Sequence, residues 1–246
     1  MGLAFGSFAN VAIHRVPAGV SLSRPGSACP HCGTPIEWYD NIPVLSWIVL
    51  RGRCRNCKGP ISIRYPIVEL GTGLLWAAVA YRLGLVWELP AFLAFTTTLV
   101  ILSVIDLEHK RLPNRVLGPS SLIAVVLLGA AAAATQNWVS AVFALGGALI
   151  YGLLILVIAL IYPAGMGGGD VKFAPYLGFH LGWLGLGAVA VGVLTGFIAG
   201  GLAGVVLVVV RRAGRKDMLP FGPFMALGSM CAVLFGDELL RLWLGI

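Results

Sequence analysis

Two aspartates and two pairs of cysteines are the residues of this chain whose types and spacing could do chemistry. Asp106 closes the run Thr98-Leu-Val-Ile-Leu-Ser-Val-Ile105, and Asp170 follows Gly165-Met-Gly-Gly-Gly169 and precedes Val171-Lys172. An ionisable residue within a membrane span is expensive and marks a functional site by default. Two carboxylates on neighbouring helices at one depth share a single proton, because like charges held close cannot both ionise. The ionised member can take a proton from water while the protonated member polarises a carbonyl. The glycines before Asp170 would let a backbone approach closely. Taken singly, Asp106 reads as a solvated helix end and Asp170 as an N-cap. The glycine stretch also reads as an anion-binding nest, although a flanking carboxylate opposes a phosphate there. Lys172 either steadies an ionised Asp170 or faces lipid headgroups.

Cys29-Pro-His-Cys32 and Cys54-Arg-Asn-Cys57 are Cys-x-x-Cys knuckles separated by twenty-one residues. Two such hairpins bring four thiolates to the corners of a tetrahedron, the arrangement zinc takes at structural sites. Pro30, Gly33, Gly52 and Gly59 supply turn chemistry around them. A pair of disulfides is the main alternative, disfavoured by a cytoplasmic placement. His31 is a further candidate ligand, but Cys29, Cys32, Cys54 and Cys57 already close the shell. Cys231 reads as a buried apolar residue.

The elements that must position these residues are membrane helices. Of 246 residues, 59% are hydrophobic and 11% charged, and the mean hydropathy is +0.93. A soluble domain has about 45–50% apolar and about 25% charged residues. Apolar runs at 1–13, 67–85, 90–106, 116–134, 140–162, 171–183, 185–210 and 219–240 predict an all-α polytopic membrane protein of about eight transmembrane helices. Residues 14–66 form a small cytoplasmic zinc-binding segment between the first run and a transmembrane core at 67–246. The first run is short, and an upstream extension would complete it. The run at 171–183 is also short, as for a helix that begins below the bilayer surface. Gly146-Gly147, Gly196, Gly200-Gly201 and Gly204 are spaced for close helix approach.

The net charge of +7 follows the positive-inside rule better than it suggests nucleic acid. Arg15, Arg24, Arg51, Arg53, Arg55, Lys58 and Arg64 lie in the polar segment; Lys110, Arg111 and Arg115, then Lys172, then Arg211, Arg212, Arg215 and Lys216 follow. With eight spans all of these fall on the cytoplasmic side, and so do Asp106 and Asp170.

Taken together, these residues resemble the bacterial type IV prepilin peptidases, the leader peptidase/N-methyltransferases. Gly6-Ser-Phe-Ala-Asn10 with Arg15-Val-Pro17 is similar to the opening motif of that family. Asn41-Ile-Pro-Val-Leu-Ser-Trp47, Arg51-Gly-Arg-Cys54 and Ile61-Ser-Ile-Arg-Tyr-Pro66 with Glu69 resemble the segment around its four cysteines. Asp106 through Leu112-Pro113 and Gly167-Gly-Gly-Asp-Val-Lys172 resemble its two catalytic regions, and Phe221-Gly-Pro-Phe224 its late motif. The resemblance implies catalytic Asp106 and Asp170, prepilin or pseudopilin substrates, a bacterial inner-membrane location, and cleavage of a short basic leader on the cytoplasmic side. It also implies methylation of the new amino terminus by S-adenosylmethionine, for which no glycine-rich motif is visible. Where the family commonly reads Ile-Pro-Asp, this chain has Leu112-Pro113-Asn114, which puts the role of a third acid in doubt. A peptidase without methylation is one alternative, and a transporter with zinc-stabilised loops is another.

Overall fold

A computed structural model describes residues 1–24, 26–163, 166–210 and 220–245, apart from the side chain of Leu244. Gly165 of the glycine stretch, the basic cluster Arg211, Arg212, Arg215 and Lys216, and the first residue of the run at 219–240 lie outside the described residues. Among those described there are no strands, only two isolated bridges, Ala28 with Pro35 and Arg53 with Pro60. The helices are α1 (Gly2–Arg15), α2 (Leu45–Val49), α3 (Arg64–Leu83), α4 (Leu89–His109), α5 (Asn114–Thr135), α6 (Trp138–Ile161), α7 (Gly168–Leu184), α8 (Leu186–Val209) and α9 (Gly222–Leu244).

Each predicted apolar run coincides with one long helix. Five of them, α4, α5, α6, α8 and α9, are long and apolar enough to cross a membrane. At 14 and 17 residues, α1 and α7 are short for a span that needs about 20. Against an expectation of about eight spans, eight helices coincide with the runs and five of them meet the length and hydropathy of a span.

The chain divides into two compact units, Met1–Ala78 and Val79–Ile246. Within the first, α1 and α3 approach so closely that a Cβ on Gly6 would lie 2.6 Å from the Glu69 Cα. Asn10 Nδ2 donates to the Tyr65 carbonyl at 3.0 Å. The Glu69 carboxylate accepts the Val44 N–H at 2.7 Å. Val44 has φ 63° and ψ −50°, a conformation that a β-branched residue adopts only under strain. The three motif segments around Gly6, Val44 and Glu69 therefore converge on one another.

In the second unit α4 is the most buried of the span-length helices: 67% of its most apolar stretch is buried, against 17% for α8. Its three consecutive threonines, Thr96, Thr97 and Thr98, each return their hydroxyl to the carbonyl four residues back. That keeps polar side chains satisfied without water. Glycine sets the closest helix contacts. A Cβ on Gly178 of α7 would strike the Gly147 carbonyl of α6, and one on Gly182 would strike the Phe143 carbonyl. On the other side, Gly228 of α9 sits against Gly192 and Gly196 of α8. Of the glycines singled out for packing, Gly147, Gly196 and Gly200 make close approaches, while Gly146 and Gly201 face open space. Dispersion between close backbones, and not a hydrophobic drive, holds helices together in lipid.

Substitution at these contacts should separate two neighbours that look alike in sequence. Gly178→Leu should lower the melting temperature in detergent, as overpacking costs about 1–3 kcal/mol or more. Gly146→Ala should leave it unchanged. Circular-dichroism melts of both variants check the assignment.

Candidate active site and metal centre

Asp106 lies three residues before the end of α4 and is 5% exposed. The helix stops there because Lys110 takes a left-handed conformation, φ 52°, and its N–H closes on the Asp106 carbonyl at 2.8 Å. The Asp106 carboxylate is not left to solvent. Its Oδ2 accepts the N–H of Gly222 at 3.1 Å. Gly222 is the first residue of α9, with Pro223 behind it. The first N–H groups of a helix have no intrahelical partner and carry its positive dipole end. The space there is tight: a Cβ on residue 222 would lie 2.8 Å from Asp106 Oδ2.

Asp170 is 6% exposed and occupies the third position of α7. Its Oδ2 accepts the Gly167 N–H at 3.1 Å, while its own N–H donates to the Gly167 carbonyl at 3.0 Å. This is a reciprocal cap in which the carboxylate holds the start of its own helix. The two aspartates are within electrostatic reach of each other. Leu112 ties their surroundings together. Its side chain lies 3.2 Å from where a Cβ on Gly169 would sit, and 3.4 Å from one on Gly222. Tyr151 of α6, 1% exposed, is within electrostatic reach of Asp170. Lys172 is exposed and makes no ion pair with Asp170 among the described residues. Asn114 is exposed at the first position of α5.

Sequence reasoning attached no role to Gly222, Leu112 or Tyr151. Gly222 lies within Phe221-Gly-Pro-Phe224, but its contact with Asp106 spans 116 residues of chain. No periodicity or spacing signals a bond of that range. Paired carboxylates, each oriented by a backbone N–H, can divide the roles of general base and general acid on one water and one carbonyl.

The four knuckle cysteines come together. The Sγ atoms of Cys29, Cys32, Cys54 and Cys57 all lie within 4.8 Å of one another, and Cys29 and Cys57 are 3.8 Å apart. A metal–sulfur distance of about 2.3 Å gives a tetrahedral edge of about 3.8 Å, so the donors fit one metal ion. The two hairpins are built alike. Cys29 N–H donates to Thr34 O and Gly33 N–H to Cys29 O; twenty-five residues on, Cys54 pairs with Gly59 and Lys58 with Cys54. Gly33 and Lys58 take equivalent left-handed positions, φ 69° and 59°. A hydrogen bond with the Thr34 hydroxyl lowers the Cys32 thiol to about 6, favouring the thiolate that binds metal. Backbone N–H groups, that of Cys57 foremost, also lower Cys54. Cys57 goes up to about 11: the Gly59 N–H lowers it, and desolvation with the neighbouring sulfurs raises it more. His31 is no fifth ligand, since its Nε2 is 3.1 Å from the Pro60 carbonyl oxygen. Arg55 grips Asp40 through two bonds of 2.7 Å and holds that carboxyl below its usual range.

Comparison with known proteins matches residues 1–83 to the bacterial peptidase A24 N-terminal domain and residues 93–209 to the type IV leader peptidase family. Similar proteins named prepilin leader peptidase/N-methyltransferase occur in several bacteria. That of Aeromonas hydrophila is 37% identical, over 98% of this chain and 91% of its own length. That of Stutzerimonas stutzeri is 34% identical, over 97% and 90%. That of Bacillus subtilis is 34% identical, over 99% and 95%. No solved structure matches this chain.

The sulfur cluster should carry one tetrahedral divalent metal ion per chain. Elemental analysis of the purified protein, with thiol titration before and after a chelator, reads this directly. Four cysteines should become reactive only once metal is removed, and Cys54→Ser should lower the bound metal to well under one per chain.

Proposed function

Because the chain belongs to the type IV leader peptidase family, we propose that it cleaves the leader of type IV prepilins or pseudopilins with Asp106 and Asp170. Cleavage takes place at the cytoplasmic face of the bacterial inner membrane, and the new amino terminus is then N-methylated with S-adenosylmethionine. The observation that carries the peptidase reading is the pair of buried carboxylates, each held by a backbone N–H at the start of a helix. The domain division that goes with it is a first membrane segment at 1–13, a cytoplasmic metal segment at 14–66 and a protease core at 67–246.

In this mechanism the pair holds one proton between two acids. The ionised aspartate takes a proton from water, and the oxygen adds to the scissile carbonyl carbon. The protonated aspartate donates to the carbonyl oxygen. The tetrahedral intermediate collapses with breakage of the C–N bond; the proton first taken from water passes to the leaving amine, and a hydroxyl proton of the intermediate returns to the second aspartate. The Gly222 and Gly167 N–H groups keep the two carboxylates facing inward through this cycle. Gly168, where a side chain would meet open space, leaves room for an extended leader.

Zinc is the ion we assign to Cys29, Cys32, Cys54 and Cys57, from the all-sulfur donor set and its tetrahedral spacing. It would order the two hairpins, which have little apolar core of their own. Methylation rests on the names of the relatives; the donor supplies an electrophilic methyl group, and no residues are assigned to it.

Incubation with a prepilin-type peptide in detergent, followed by mass analysis with and without S-adenosylmethionine, tests both activities. Asp106→Asn and Asp170→Asn should each lower cleavage by about 10²–10⁴-fold while the protein still accumulates in the membrane. Near-normal cleavage by either variant would remove that residue from the mechanism. Gly222→Ala should push the Asp106 carboxylate aside and lower kcat by about 10²-fold, as misplacement by an ångström does. Gly201→Ala, which meets open space, should leave kcat unchanged.

A further inference from the structure

The polar segment carries more positive charge than its own contacts use. Arg55 is committed to Asp40, and Arg15 donates to the carbonyls of Ser21, Leu22 and Gly26. Arg51, Arg53 and Lys58 make no ion pair among the described residues. They line, with Leu50 and Cys54, an open cavity of about 340 Å³. Gly52, between the two arginines, lies against the Trp47 ring, where a Cβ would come within 2.8 Å. The Trp47 indole N–H is in turn anchored to the Ile61 carbonyl at 3.1 Å. The cations are therefore mounted on a braced loop.

Directly before this loop stands α2. Leu45, Ile48 and Val49 are 55%, 59% and 66% exposed. At i, i+3 and i+4 they share one face of the helix. An exposed apolar helical face followed at once by a cationic cavity has the chemistry of a membrane interface: acyl chains for the face, phosphates for the charge. A free phosphate would satisfy the cations and leave the apolar face in water.

We propose that Arg51, Arg53 and Lys58 form a headgroup site for an anionic phospholipid, with the Leu45–Val49 face of α2 seated among its acyl chains. The site is independent of the peptidase reading, since neither aspartate takes part. One competing demand is local: four thiolates around a divalent ion leave two net negative charges, and Cys54 lines the cavity. Three cations exceed that demand by one, and a phosphodiester, with its single charge, closes the balance.

Lipid retention by the full-length, metal-loaded protein tests the proposal. The protein is exchanged into mixed micelles holding equal phosphatidylglycerol and phosphatidylcholine, and bound lipid is counted by native mass spectrometry. The wild-type chain should retain phosphatidylglycerol preferentially. R51Q/R53Q/K58Q should lose that preference by about fivefold for each charge removed. R51K/R53K should keep it. L45S/I48S should retain less of both lipids with the preference unchanged, and millimolar inorganic phosphate should not displace the bound lipid. An unchanged preference in the triple glutamine variant overturns the site. Displacement by inorganic phosphate makes it a soluble-anion site and overturns the lipid assignment. A preference that tracks metal content across the variants, and not charge, assigns the three cations to the metal cluster instead.

Discussion

A carboxylate buried in a membrane protein is largely shut off from bulk water, and this constraint organises the second unit. An Asp at the centre of a membrane helix costs roughly 2.5–3.5 kcal/mol on insertion scales, an upper bound for Asp106 and Asp170, which lie near helix ends. A hydrogen bond to a charged group returns about 1.5–3 kcal/mol. The two are of one size, so a buried aspartate is tolerable only with a donor already in place. Asp106 takes its donor from the first N–H of α9, and Asp170 from the residue that caps its own helix. In both cases the donor is a backbone group, which cannot rotate away and carries no charge of its own to neutralise the acid. A lysine or arginine in that place would fix the ionised form permanently. A backbone N–H orients the acid and leaves it free to exchange a proton.

Donors so placed oblige the helices to meet at close quarters, and glycine makes this possible. The start of α9 can approach Asp106 because residue 222 has no side chain. The remainder of α9 is held to α8 through Gly192, Gly196 and Gly228, and α7 is held to α6 through Gly147, Gly178 and Gly182. The helix that bears Asp170, α7, and the helix that holds Asp106, α9, are therefore each fixed along their length by contacts that admit no Cβ. Leu112 fills the space between Gly169 and Gly222, so the chain after α4 closes the site as well as ending the helix.

Much of this architecture was legible in the amino-acid pattern. The run at 90–106 became Leu89–His109, that at 116–134 became Asn114–Thr135, and that at 185–210 became Leu186–Val209. Hydropathy reads such helices well because lipid forces every backbone group into local hydrogen bonds. The doubled Cys-x-x-Cys was legible too, since its local hairpins already bring each thiol pair together. What could not be read was direction around a helix relative to partners distant in sequence. Gly146 and Gly147 are adjacent and chemically identical, yet one meets nothing and the other meets the backbone of α7. The Gly222 bond to Asp106 was hidden for the same reason. Val44 was hidden differently: its strained φ goes with a hydrogen bond from its N–H to Glu69, distant in sequence on α3.

The first unit follows another economy. Residues 14–66 include only a few apolar side chains that are buried, and Trp38, Leu45, Ile48, Val49 and Ile63 are largely exposed. A segment of that size with so little core does not outweigh its own conformational entropy. It is ordered from its two ends. At one end, metal ligation would join hairpins 28–35 and 53–60, the Arg55–Asp40 pair adding a second tie. At the other, the carboxylate of Glu69 reaches out of α3 to hold the loop before α2. Order in this segment thus depends on polar and ionic ties more than on burial. That leaves its apolar side chains free to face outward, which a segment with its own hydrophobic core would not permit, and which suits one that adjoins a bilayer.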